Sequence, residues 1–469
     1  MEEVKGKGRI VDRLFAPVDV AVLVYFRVVF GGILLWEVCR YWVGGWTHEY
    51  WVGKAYHYKY YGFEWVQALP GEWPHYVWVS LAIPAAMMVV GLFYRTAATW
   101  LFLGYTYFFL LDQTDYQNHP YLICLLAFMA ILIPANGWLS VDARLNPGVR
   151  RDTAPAWTLW MLKGQLFIVY FFGGLAKLNA DWMGGEPMRS WLLNRVERVE
   201  GIPPLAAFFQ SEIAVYFFSW GGALFDLLIV PALMWKRTRV VAFAVLLMFH
   251  LTNSWLFEIG IFPWFGIATA LIFFDPSWPR KLVGRISEKA AVVVDAEGGG
   301  RRLGEGWKRL VVWFLVVWFS WQVFLPLRHF LYPGSSLWTD EGHRFAWQMR
   351  LRMKLGSADF YLLREGSQTP EFVDLGEYID MRQYARMRFR PEMILQTAHW
   401  IGDRVEAEEG ERPAVVVVSM ASLNGRPNSV MIDPRVDLGR VERNLWPAGW
   451  IVSLEESERI RAEREAEGK

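Results

Sequence analysis

The chain has only two cysteines in 469 residues, Cys39 and Cys124, and both lie inside apolar runs, which leaves no disulfide framework to read. No CxxC pair occurs, so there is no cysteine metal site and no metal is expected. Charge is also sparse: 20% of residues are charged, the net charge is +1 and no basic patch forms, which argues against a nucleic-acid partner. No small-residue cleavage site follows the first apolar run, so it reads as a retained signal-anchor rather than a removed signal peptide. There is no internal inverted repeat and no pair of interrupted helices of the transporter kind.

What is abundant is apolar and aromatic. Hydrophobic residues make up 54% of the chain and aromatics 17%, with 27 Trp, much of which reads as an interfacial belt. The apolar residues form about nine blocks near bilayer-crossing length, from "DVAVLVYFRVVFGGILLWEV" to "LVVWFLVVWFSWQVFLP". Three are short, "ATWLFLGYTYFFLL", "PYLICLLAFMAILI" and "FPWFGIATALIFF", so about eight or nine transmembrane helices are expected. Lys and Arg crowd alternate loops: "KGKGRIVDR", Arg95, Arg144 with Arg150 and Arg151, "KRTR" at 236–239, and 280–309. With the positive loops inside, the N-terminus is cytoplasmic and everything after about Pro326 is extracytoplasmic. The expected architecture is a mainly α-helical integral membrane bundle over 1–326, followed by a small extracytoplasmic α+β domain over 327–469 with a helical tail.

That topology brings three polar stretches to one depth. Lys177 in "GGLAKLNADW" ends the run "QLFIVYFF". Asn118 and His119 open "NHPYL", and His250 with Asn253 lies in "FHLTNSWLF". A lysine at a helix end commonly snorkels to the interface, and a lone histidine is commonly a satisfied core residue. Asp19, Glu37 and Asp226 beside apolar blocks read as paired structural charges. A lysine becomes a base near neutral pH only where burial or another cation disfavours its charged form. The flanking "FFGGLA" offers such a setting, since glycines permit close helix approach and aromatics exclude water.

Several long motifs occur in order: "YTYFFLLDQTDYQNHPYLICLLAF", "PANGWLSVDA", "KGQLFIVYFFGGLAKLNADWMGG", "FHLTNSWLFEIGIFPW", "SWPRKLV", "RHFLYPGSSLWTDEGHRFAWQM" and "IDPRVD". Over roughly residues 12–452 the chain closely resembles the vitamin K-dependent gamma-glutamyl carboxylase family, including bacterial members with an HTTM-type membrane domain. The resemblance implies an enzyme of a membrane, here a bacterial inner membrane. Such an enzyme oxidises reduced vitamin K, or a menaquinol-type naphthoquinol, with O2 to the epoxide. It uses the strong base so formed to take the gamma proton of a glutamate in a peptide or protein, and CO2 then adds. It further implies Lys177 as the base, with His119 and Asn118 in support. His250, Asn253, Trp182 and Tyr121 line the quinol site. Protein side chains are too weak to remove such a proton, which is why a cofactor must supply the base.

Hydropathy falls after Pro326. "RHFLYPGSSLWTDEGHRFAWQM" resembles the family's glutamate-binding region, implying Trp338, His343, Arg344 and Trp347 as contacts; an interfacial aromatic cluster is the other reading. Arg435 in "DPRVD" matches a family motif, and an ion pair with Asp433 or Asp437 is equally open. "PEMILQTAHWIGDRVEA" has helical periodicity after a proline start, Asn-Gly in "SLNGRPNSV" signals a hairpin, and "SLEESERIRAEREAEGK" reads as a solvated helix. Compared with the animal enzymes, Ala176 replaces a neighbouring lysine, Asn179 stands where they have Asp, and their long extra lumenal region has no counterpart. An epoxidase with another acceptor, or a non-catalytic transporter or assembly factor, are the alternative functions.

Overall fold

The fold is described from a computed structural model covering residues 10–257, 260–286, 304–364, 366 and 369–467. The N-terminal basic run and most of the stretch 280–309 therefore lie largely outside the described residues. Among the described residues six helices are long and apolar enough to cross a membrane: α1 (Ala21–Val43), α2 (Trp73–Val90), α5 (Ala156–Ala176), α6 (Glu212–Met234), α7 (Arg239–Phe257) and the span Glu305–Leu331, whose α-helical part is α9 (Glu305–Leu327). The three short blocks of the sequence are also helices, α3 (Tyr94–Leu111), α4 (Asn118–Leu132) and α8 (Phe262–Phe273), and fall outside that set. Each of the nine blocks is thus helical, six of them over a length that could span a bilayer.

The charges singled out beside apolar blocks are all paired. Arg40 meets Glu37 at 2.6 Å, Arg280 meets Asp19 at 3.0 Å and Asp152 at 3.1 Å, and Lys177 meets Asp226 at 2.5 Å. Asp19 belongs to a two-stranded antiparallel ribbon, β1 (Pro17–Asp19) with β2 (Thr153–Pro155), which joins the entries to α1 and α5.

Helices α5 and α6 frame the site. Ser211 caps α6 by accepting from the Ala214 amide at 3.2 Å. At the end of α5, Gly173 and Gly174 allow α6 to come close: a Cβ on Gly174 would lie 2.8 Å from the Leu227 backbone nitrogen. This is the small-residue contact that the sequence suggested.

After α9 the chain builds a four-stranded antiparallel sheet in the order β4-β3-β5-β6, with β3 at Lys354–Leu363, β4 at Glu371–Phe372, β5 at Ala414–Leu423 and β6 at Ser429–Val430. The Asn-Gly hairpin forms between β5 and β6, with Asn424 and Gly425 both at positive φ. It is a minor element, because β5 pairs along its whole length with β3, from Lys354 opposite Leu423 to Leu363 opposite Ala414. The sequence reading places no strand at β3, whose "KLGSADFYLL" lacks strict alternation. Helix α10 (Pro391–Glu409) starts at its proline and packs on β5, while α11 (Leu454–Ala466) forms the expected tail. The two halves interlock: Trp347 packs in the core of the helical bundle, whereas Tyr58 and Trp182 pack in the core of the sheet region.

Candidate functional site

Lys177 terminates α5 as its C-cap residue and is 6% exposed. Its ammonium donates to Asp226 Oδ2 at 2.5 Å and to the Gly173 carbonyl at 3.2 Å, in the electronegative last turn of the helix. The Trp182 ring lies 5.4 Å from Nζ. Asn179 makes that possible, since its side chain accepts from the Trp182 amide at 3.0 Å and caps the turn that carries Trp182 back over the lysine. The Trp182 indole is fixed in turn by donating to the Ser219 carbonyl at 2.7 Å. Lys177 is therefore held in the interior and does not snorkel.

Asp181, next to Trp182, ties this turn to the sheet region. It accepts two bonds of 2.7 Å from Arg426 and one of 2.7 Å from Asn424, in the hairpin connection. Those bonds with Arg426 hold its carboxyl below the ordinary range despite partial burial.

Neither Lys177 nor Asp226 lines the cavity of about 520 Å³ that takes in other polar groups. Asn118 and His119 line it from the start of α4, and His343, Arg344, Gln348 and Met349 line it from the segment after α9. Met349, a lining residue, also packs against the end of α5: an added Cβ on Gly173 would lie 2.9 Å from Met349 Cε and 3.5 Å from Asp226 Oδ2. Asn118 bridges the two halves, accepting from the Tyr116 hydroxyl at 3.1 Å and donating to the Gln348 carbonyl at 3.3 Å. Beneath Gln348, Trp347 stacks on Tyr121 at 4.9 Å between centroids. Phe345 and Trp347 both have left-handed backbone, with φ of 62° and 56°, which bulky residues adopt only when their surroundings enforce it.

The third polar stretch lies deeper. His250 is fully buried in α7, with Nε2 at 2.8 Å from the Tyr170 hydroxyl of α5. Phe262 stands between it and His119, with ring centroids 5.8 Å and 6.1 Å away respectively. Gly266 leaves the room His250 needs, since a Cβ there would lie 2.5 Å from Nε2. Buried His250 Nδ1 and Trp347 Nε1 have no hydrogen-bond partner. Asn253, one turn further along α7, is half-buried.

Three expected glutamate contacts lie elsewhere: Trp347 is buried in the core of the helical bundle and does not line the cavity. Trp338 is buried in the sheet-region core, donating from Nε1 to the Val452 carbonyl at 2.8 Å, and does not line the cavity. Arg435 is 87% exposed and bonded to Asp433 at 2.8 Å, the structural ion pair that was the other reading of "DPRVD". Arg344 does line the cavity, but its charge is met by Glu392, which also accepts from Arg443 at 2.5 Å.

Other cavity groups escaped the sequence reading. Asp340 pairs with Arg352 and lies 3.5 Å from Lys354. Burial acts to raise its carboxyl, but Arg352 and Lys354 override that and hold it below the usual range. His343 is pushed well below the ordinary histidine value by burial and by Arg352, with Asp340 pulling the other way. It is therefore a neutral imidazole in the cavity wall. No motif brings residues 340, 352 and 392 together; β3 and α10 do. Among the described residues no group of His, Cys, Asp and Glu is arranged to hold a metal ion.

A family model described as the HTTM domain matches residues 15–278, and one described as the vitamin K-dependent gamma-carboxylase lumenal domain matches residues 307–457. The chain belongs to the vitamin K-dependent gamma-carboxylase family. No solved structure matches it. All but the first two residues of α9 fall in the lumenal-domain match, and the cavity is built jointly by both matched regions: Asn118 and His119 come from the HTTM match, and His343 and Arg344 from the lumenal-domain match.

Proposed function

We propose that this chain is a membrane enzyme that couples epoxidation of reduced vitamin K, or a related naphthoquinol, by O2 to carboxylation of a peptide glutamate with CO2. The observation that carries this reading is a buried lysine at a helix end, against Asp226 and one side chain away from a cation-lined cavity that holds Asn118 and His119. An apolar two-oxygen ring system suits the surroundings. Phe262 puts an aromatic ring in the cavity wall, and the buried His250 Nδ1 and Trp347 Nε1 have no hydrogen-bond partner among the described residues.

When bound, the reduced quinol supplies on oxidation the strong base that protein side chains lack. Transfer of one proton from Lys177 Nζ to Asp226, in direct contact, leaves the neutral amine that takes the quinol hydroxyl proton and becomes ammonium again. Asn118 and His119 present polar groups to developing negative charge on the opposite wall. Trp182 over the ammonium and Met349 against the end of α5 keep water from the lysine. His343 and the arginines of the cavity receive the glutamyl side chain. The family's substrates are glutamate-containing proteins.

In this reading all nine helical blocks cross or enter the bilayer, the N-terminus is cytoplasmic in a bacterial inner membrane, residues 1–326 form the catalytic membrane domain, and 327–469 form an extracytoplasmic substrate-binding domain. The test is purified protein given reduced vitamin K, labelled CO2 and a glutamyl peptide. Epoxide together with labelled carboxyglutamate is expected. Epoxide without label indicates an epoxidase with another acceptor, and neither product overturns the reading.

A further inference from the structure

The cations around the cavity differ in whether their charge is already met. Arg40 is paired with Glu37, Arg344 with Glu392, Arg352 with Asp340, and Arg386 faces Asp115 at 3.7 Å. Arg390 forms no ion pair among the described residues: its Nη1 donates to the Thr114 carbonyl at 3.0 Å and rests 3.7 Å from Met393 Sδ. Arg350, on another wall, lies over the ring of Phe257, whose successor Glu258 is outside the described residues. Arg390 is thus the cavity arginine whose surroundings are fully described and contain no carboxylate in contact.

Its placement is rigid. Arg390 is the N-cap of α10, its carbonyl accepts from the amides of Met393 and Ile394 at 3.0 Å, and Pro391 fixes the first helical position. The guanidinium therefore projects from a fixed point into the cavity that His119, Asn118 and His343 also line. Burial, with Arg344 alongside, draws it down to about 10.

We infer that Arg390 is the residue that receives the carboxylate of the substrate glutamyl side chain, the planar guanidinium fork matching the planar carboxylate. The inference rests on the glutamate-carboxylating reading of the site. It also moves the main anionic contact out of the segment around residues 328–349, to which the family resemblance assigned it, and onto the start of α10. Arg344, the cation expected there, is already taken by Glu392. Two-point recognition by an arginine is specific to carboxylate over its amide.

The experiment is equilibrium binding of a fluorescent glutamyl peptide and its glutaminyl counterpart to full-length protein in nanodiscs, for the wild type, Arg390→Met and Arg390→Lys. The wild type is expected to prefer the glutamyl peptide at least tenfold, Arg390→Met to lose that preference, and Arg390→Lys to keep a reduced one. No preference in the wild type, or an unchanged preference in folded Arg390→Met, overturns the inference. Should Arg390→Met fail to fold, Arg390→Lys decides it: a ratio equal to that of the wild type is then the contrary result. Epoxide assays on the same preparations separate the two levels. Arg390-dependent binding without epoxide removes the enzymatic reading and leaves the anion site standing, whereas epoxide with Arg390-independent binding removes the anion site alone.

Discussion

Lys177 Nζ and Asp226 Oδ2 lie 2.5 Å apart, joining the end of α5 to the middle of α6 inside the bundle. Both side chains are almost fully buried, so each depends on the other for its charge. Removing one partner strands the other, whereas removing both leaves apolar volume that can repack.

Asp226→Ala or Lys177→Ala alone is therefore expected to lower stability by about 3–5 kcal/mol, and Lys177→Met with Asp226→Leu to recover most of it. Unfolding of the detergent-solubilised variants measures this. A double variant as unstable as the sum of the singles would show that the pair is not coupled.

Gly174→Ala should cost about 1–3 kcal/mol, because the new Cβ meets backbone, the Leu227 nitrogen at 2.8 Å. Gly173→Ala meets the movable end of Met349 at 2.9 Å and should be tolerated better. Thermal denaturation of the two variants ranks them, and the reverse order would contradict the packing of α5 on α6.

Arg426→Met should free the hairpin that Asp181 holds, without touching Lys177. Hydrogen exchange is expected to quicken in the turn around Asn424 and in residues 179–183. Unchanged exchange there would mean that the contact does not organise the turn.

His343 gives the pH dependence a sign. Burial and Arg352 depress its folded value well below the ordinary 6.5, so below about pH 6.5 the unfolded chain takes up a proton that the folded chain does not. Stability attributable to His343 is complete above that pH and falls by up to about 1.4 kcal/mol per unit as the pH is lowered. Subtracting the pH profile of His343→Gln from that of the wild type isolates this contribution, and coincident profiles would refute it.

The helical bundle was legible because about nine apolar blocks leave the backbone no alternative to helix. The three blocks marked as short are the three that fall outside the six long apolar helices. The paired state of Asp19, Glu37 and Asp226 followed from the cost of a lone buried charge, but their partners did not, because each contact depends on the packing. Asn118, His119, His343 and Arg344 come together in the cavity, while Lys177, Trp338, Trp347 and Arg435 do not line it. Arg390 and Glu392 could not be read, since only the folding of α10 against the loop at 112–118 brings them there. Strand β3 was missed for a related reason: its ten-residue pairing with β5 is set by the partner strand and not by its own pattern.

The most direct test of the account is epoxide formation from reduced vitamin K by purified protein, comparing the wild type with Lys177→Ala and with Lys177→Met/Asp226→Leu as the folded control. The account predicts epoxide from the wild type and none from either variant. Epoxide at the wild-type rate from the folded double variant would contradict it, since Lys177 would then be half of a structural ion pair and not the base.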